Sequence, residues 1–190
     1  MTFPHSSKLA AAVSKVSGDN SNEKASLKSK VSMAPVILTE IDKKHSGLAT
    51  TSLHDMFHVD HSTNTFRTCF YVTRVEPGNV CEAVKNYNRS NKKTSSTKSG
   101  SGDMIYQVQF LCKDVSTNFS NSAYRILLYT HEGLGANFMS QKPANLHTDS
   151  KAKGKVSDAF NLLTRFNSWV DAVVERRNGY FFIKDTRMVF

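Results

Sequence analysis

The chain has 190 residues, 39% of them hydrophobic and 10% aromatic, and its 25 Lys and Arg against 16 Asp and Glu give a formal net charge of +9. That is apolar material enough for one core, which excludes a wholly disordered chain, and no apolar run reaches the ~18 residues that cross a bilayer. Three cysteines, Cys69, Cys81 and Cys112, form an odd set without a C-x-x-C pair, which argues against a disulfide framework and a zinc ribbon and for a reducing compartment.

Ser6 to Val16 spaces Leu9, Val13 and Val16 on one helical face with Ser6 or Ser7 as cap, and Ser17 to Lys30 is polar. Residues 1–30 are thus expected to be a short helix and a flexible linker, and residues 31–190 the domain proper. Val36 to Ile41, after Pro35, predicts a strand start or an edge strand, and Ser52 to Phe57 a helix of one or two turns. Thr65 to Val75 is β-branched and aromatic and predicts a long strand closed by Glu76-Pro77-Gly78.

Met104 to Lys113 alternates, with Tyr106, Val108, Phe110 and Cys112 toward the core and Ile105, Gln107, Gln109 and Leu111 on an open face. Tyr124 to Thr130 repeats the pattern, setting Tyr124, Ile126 and Leu128 against Arg125, Leu127 and Tyr129. A long Gly-containing connection follows. Val156, Ala159, Phe160, Leu163 and Phe166 then fall at the 3.6 period and predict a helix capped by Asp149 or Ser150. Trp169 to Arg176 and Tyr180 to Asp185 are strands joined by an Asn178-Gly179 hairpin turn. Strand, strand, strand, helix, strand, strand is the order of the five-stranded OB barrel, a mainly β fold, although a generic α+β domain gives the same string.

Asn88 to Gly102 contains no apolar and no acidic residue. With Tyr87 at its edge, Arg89, Lys92, Lys93 and Lys98 are candidates for neutralising nucleic-acid phosphates, against the plain alternative of a solvated loop. The open face of the second and third strands, Ile105, Gln107, Gln109, Leu111, Arg125, Leu127 and Tyr129, is poor in stacking rings. Its amides and aliphatic groups suit an extended peptide with apolar anchors at alternate positions. The competing reading covers this face with the N-terminal helix or with residues 131–147, and is favoured for Ile105 and Leu111.

His54, His58 and His61, interleaved with Asp55 and Asp60, do not follow a zinc spacing and read as surface histidines. Gly133-Leu134-Gly135 lacks the Lys-Ser/Thr of a phosphate loop, and Cys69 and Cys112 lie inside strands with no His in a nucleophile motif. No catalytic residue, metal or cofactor is expected.

The wording of several segments is more specific than their pattern. Asp42-Lys-Lys-His45, Thr65-Phe-Arg-Thr68, Phe70-Tyr-Val-Thr73, Gln107-Val-Gln-Phe-Leu111, Leu127-Leu-Tyr-Thr130, Gly133-Leu-Gly-Ala-Asn-Phe138 and Val170-Asp-Ala-Val-Val-Glu-Arg-Arg-Asn-Gly179 closely resemble the C-terminal region of the alpha subunit of ciliate telomere end-binding protein, from about Ser6 to Phe190. The resemblance implies the third OB-fold of that subunit, which docks a beta subunit by accepting an extended segment of it, in the nucleus at chromosome ends. The family's two preceding folds, which bind single-stranded G-rich telomeric DNA, have no counterpart in these residues. The implied role is therefore a partner-docking domain within a telomere cap, carried either on a piece of a longer alpha subunit or on a short stand-alone relative. Direct single-strand binding through residues 88–102 is the alternative.

Overall fold

The run from Thr65 to Glu76 is long enough to serve two sheet partners, and it does. In the computed structural model, which describes residues 34–58, 60, 62–88, 93–96, 103–117, 123–130 and 132–189, the strands are β1 (Val36–Ile37), β2 (Thr39–Glu40), β3 (Thr65–Glu76), β4 (Val84–Asn88), β5 (Lys93–Ser96), β6 (Asp103–Lys113), β7 (Tyr124–Thr130), β8 (Ser168–Arg177), β9 (Tyr180–Asp185) and β10 (Arg187–Met188). The helices are α1 (Leu53–His58), α2 (Glu132–Met139) and α3 (Ser150–Leu163). The helix and linker expected over residues 1–30 lie outside the described residues.

The first half of β3 pairs antiparallel with β8 and the second half with β6. The partner changes between Phe70 and Tyr71, and a register shift in the β3–β6 ladder between Val72 and Arg74 then changes which residues face inward: Phe66, Thr68, Phe70 and Val72 are buried in strict alternation, then Val75. An extra residue on one strand bends it and lets one segment span both halves of a barrel. β6 pairs antiparallel with β7, β7 runs parallel to β9, and β9 closes antiparallel on β8. This closed path, with α3 between β7 and β8, is the OB barrel. Asn178 and Gly179 both take positive φ, 50° and 79°, as the tight β8–β9 turn requires.

The interior is the one expected from the alternation. Phe66, Phe70, Val108, Phe110, Ile126, Leu128 and Val170 are buried together. α3 packs through Ala152, Val156, Ala159, Phe160 and Leu163, and Asp149 caps it, its carboxylate accepting from the Ala152 amide at 2.8 Å. Phe166 departs from the expected stripe. The helix ends at Leu163, Thr164 caps it, Asn167 turns the chain at φ 62°, and Phe166 is left 84% exposed. Asp114 is also buried, and its carboxylate accepts from the Leu53 amide at 2.7 Å and the Ser116 hydroxyl at 2.6 Å, fastening the start of α1 to the end of β6.

Further elements differ from expectation, β4 and β10 among them. The run Val36–Ile41 is divided into β1, on the edge of β8, and β2, paired with β10, with Leu38 turned inward between them. Lys93–Ser96, expected as loop, forms β5 against β4, because β6 extends past the barrel and templates β4 alongside it. The Gly-containing connection holds α2, whose Phe138 and Met139 are fully buried.

Gly135 of α2 lies directly on Tyr106. A Cβ there would stand 2.5 Å from Tyr106 Cδ2, and the ring cannot retreat, because it is buried and its hydroxyl donates to the Gln141 carbonyl at 2.7 Å. Gly135→Ala should therefore cost about 1–3 kcal/mol despite the better helix former, read as a lowered midpoint in thermal unfolding. An unchanged midpoint would contradict the close approach.

Candidate functional site

The outer face of β6 and β7 is organised by cross-strand pairs. Gln107 stands opposite Tyr129, Gln109 opposite Leu127, and Leu111 opposite Arg125. The first two pairs form the floor of a groove of about 410 Å³ whose walls include Glu76, Glu82 and Lys85. Glu76 comes from the end of β3 and accepts a hydrogen bond from the Gln109 amide at 2.8 Å and another from the Arg74 guanidinium. Lys85 of β4 is paired with Glu82. Leu127 is half-buried and Tyr129 is 43% exposed. Burial, and then the neighbouring Tyr87 hydroxyl, raise the Tyr129 phenol above its ordinary range, so it remains a neutral donor.

Of the seven residues expected on this face, Gln107, Gln109, Leu127 and Tyr129 line the groove. Leu111 and Arg125 share its face beyond the groove lining, and Arg125 is exposed. Ile105 is a correction: it is fully buried on the part of β6 that runs beside β4, opposite Lys85, and so is withdrawn from any contact surface. The cover expected from residues 131–147 goes elsewhere. α2 packs on Tyr106, on the inward-facing side of β6.

The expected nucleic-acid residues are divided. Tyr87 is half-buried on β4 beside Tyr129, and Lys93 is exposed at the start of β5 opposite Asn88. Arg89, Lys92 and Lys98 lie outside the described residues.

The histidines behave as surface groups. The His54 and His58 rings lie 4.9 Å apart on α1, and His58 Nε2 is 3.0 Å from the Tyr124 hydroxyl, while His61 lies outside the described residues. Among the described residues no group of three or more His, Cys, Asp or Glu is placed to hold a metal ion.

None of the three cysteines is in a disulfide; Cys81 and Cys112 are buried and Cys69 is half-buried. Burial, reinforced by the Asp171 carboxylate, pushes the Cys69 thiol up to about 11 against the partial counter-effect of Arg67. A raised thiol pKa favours the neutral form, so at pH 8 roughly one Cys69 in a thousand is thiolate, and reactivity grows only as the pH climbs toward 11. Native protein at pH 8 should release colour from a disulfide reagent far more slowly than unfolded protein. A rapid one-equivalent reaction of the native chain would contradict this.

A second groove, of about 580 Å³, was not legible in the sequence. It lies on the outer face of β3 and β8 and is lined by Tyr71, Thr73, Arg165, Phe166, Asn167 and Trp169 among others.

No protein-family model matches the chain. Over its whole length it is 54% identical to the telomere-binding protein subunit alpha of Sterkiella nova, 56% identical to that of Stylonychia mytilus, and 32% identical to the telomere-binding protein homolog of Euplotes crassus. It spans 40%, 41% and 40% of the lengths of these relatives. In fold it is similar to a chain in the crystal structure of fission yeast Pot1 and Tpz1, with a TM-score of 0.58 and 14% identity, covering 83% of this chain and 100% of that one.

Proposed function

We propose that this chain, related along its whole length to the ciliate telomere-binding protein alpha subunits, is the protein-docking OB domain of a telomere cap. It accepts an extended segment of a beta-like subunit in the β6–β7 groove, and through that subunit contributes to protecting the 3′ single-stranded G-rich overhang in the nucleus.

The observation that carries this reading is the pairing of Gln107 with Tyr129 and of Gln109 with Leu127 on one groove floor. An extended segment presents backbone donors and acceptors along its length and side chains at alternate positions. The two amides match the former, and Leu127 and Tyr129, two residues apart on β7, match the latter. The walls add selectivity: Glu76 is paired with Arg74 and Glu82 with Lys85, a balanced lining that offers a phosphate backbone no free cation and accommodates a peptide.

Anisotropy titration of a labelled G-rich single strand, with and without the beta-like subunit, tests the reading. At physiological ionic strength strand retention should depend on the partner, and calorimetry should show the partner binding to this chain without DNA. Absence of any association between chain and partner would sink the proposal. The alternative, a strand gripped by residues 88–102, instead requires binding by the chain alone at that ionic strength and through that segment, with a salt slope falling by about 0.7 for each of its basic residues removed.

A further inference from the structure

We propose that the groove between β3 and β8 is a stacking site for one or two unpaired nucleic-acid bases, built on Trp169, Tyr71 and Phe166. Trp169 meets Tyr71 edge-on at 5.2 Å between ring centroids, and Phe166 stands at the same groove with 84% of its surface exposed. An exposed ring of that size is costly in water unless something covers it.

The backbone that carries the ring is also held in place. The turn that carries it is tied by the Arg165 amide to the Leu162 carbonyl at 3.3 Å, by the Ser168 amide to the Arg165 carbonyl at 3.1 Å, by the Val36 amide to the Asn167 carbonyl at 2.9 Å, and by the Thr164 hydroxyl to the Phe160 carbonyl at 2.9 Å. A rigid turn presenting an exposed ring loses little conformational entropy when a base stacks on it.

Charge decides the class of ligand. The groove lining contains Arg165, hydroxyls and an amide, and no carboxylate. The nearest acid along the outward side of β8, Asp171, is neutralised by a two-point ion pair with Arg67, at 3.1 and 2.7 Å. The β6–β7 groove differs in having its charges matched, Glu76 with Arg74 and Glu82 with Lys85. On a chain of net charge +9, aromatic rings beside a guanidinium with no carboxylate in the same groove lining match the stacked bases and phosphates of a single strand. The site lies apart from the β6–β7 groove and does not depend on partner docking there.

Trp169 is the chain's single tryptophan; it lines this groove and also a pocket with Ile37, Cys69 and Val115, and the Phe166→Ala comparison ties its emission to the groove. Titration of the 190-residue chain at low ionic strength with an oligothymidylate of roughly 12 nucleotides should quench it, whereas duplex DNA, whose bases are already stacked, should not. Phe166→Ala, at an exposed position that leaves the core intact, should weaken the strand's binding about tenfold. Arg165→Glu should weaken it and flatten its salt slope by about 0.7. No quenching by the strand, equal quenching by duplex, or unchanged affinity in folded Phe166→Ala protein overturns the site. Quenching by the beta-like subunit and not by the strand assigns the groove to a protein and overturns it equally.

Discussion

Replacing Phe110 by Ala should lower the unfolding free energy by about 3–5 kcal/mol, the range for removing a fully enclosed aromatic ring. Phe110 is wholly buried at the middle of β6, opposite Val75 of β3 and Ile126 of β7, and its ring meets Phe138 of α2 edge-on at 5.6 Å. The barrel walls on both sides are hydrogen-bonded strands and cannot collapse into the space. The melting midpoint should fall by roughly 10 °C, at about 2–4 °C per kcal/mol for a domain of this size. Phe138→Ala should be comparably costly, and the double mutant should recover about 0.5–1.5 kcal/mol of ring–ring coupling. A loss below ~1 kcal/mol for Phe110→Ala would mean that the barrel is not packed around this ring.

Phe110 was legible as a core residue because β6 alternates without interruption, and the same holds for β7 and for the β8–β9 hairpin with its Asn-Gly turn. These elements obey a local rule, and the barrel follows from their order. What was not legible depends on partners distant in sequence. The inward residues of β3 change phase after Val72 because the β3–β6 ladder carries an extra residue at Thr73, two residues past the change of neighbour from β8, and nothing in Thr73-Arg74-Val75 announces it. α2 is eight residues with two glycines and no capping signal; it exists because Gly135 allows the backbone onto Tyr106 and because Phe138 and Met139 have a core to enter. β5 is a run of Lys, Thr and Ser with no apolar residue, held in extended form by pairing with β4. Phe166 continued the helical period in the sequence, but three residues beyond Leu163 the chain has already turned.

The candidate site shows the same division. Which residues of β6 and β7 share the outer face was readable from parity alone, and the cross-strand register brings three pairs of them together. Parity does not tell which of those residues an added strand will bury, and β4 removes Ile105 for that reason. Nor does it show the groove's walls, since Glu76, Glu82 and Lys85 come from the end of β3, the turn before β4 and β4 itself. The β3–β8 groove was invisible because Tyr71, Phe166 and Trp169 belong to three different segments and each has an ordinary structural reading by itself.

Leu127→Glu should weaken binding of the beta-like subunit at least a hundredfold while leaving the barrel folded. The side chain is half-buried and faces outward on β7, opposite Gln109 and beside Phe182 of β9, so in the free protein a carboxylate there keeps access to water and costs the fold little. Docking removes that access. A carboxylate covered by an apolar anchor without a partner loses several kcal/mol of hydration, and the cations at this groove are already engaged, Lys85 with Glu82 and Arg74 with Glu76. About 2.7 kcal/mol already corresponds to a hundredfold in Kd. Leu127→Met, which keeps volume and polarity, should bind within a fewfold of the parent. Calorimetry on both variants, with circular dichroism and melting curves to establish that each is folded, separates a lost anchor from a lost fold. If folded Leu127→Glu protein binds the partner as the parent does, the β6–β7 groove is not where the partner docks.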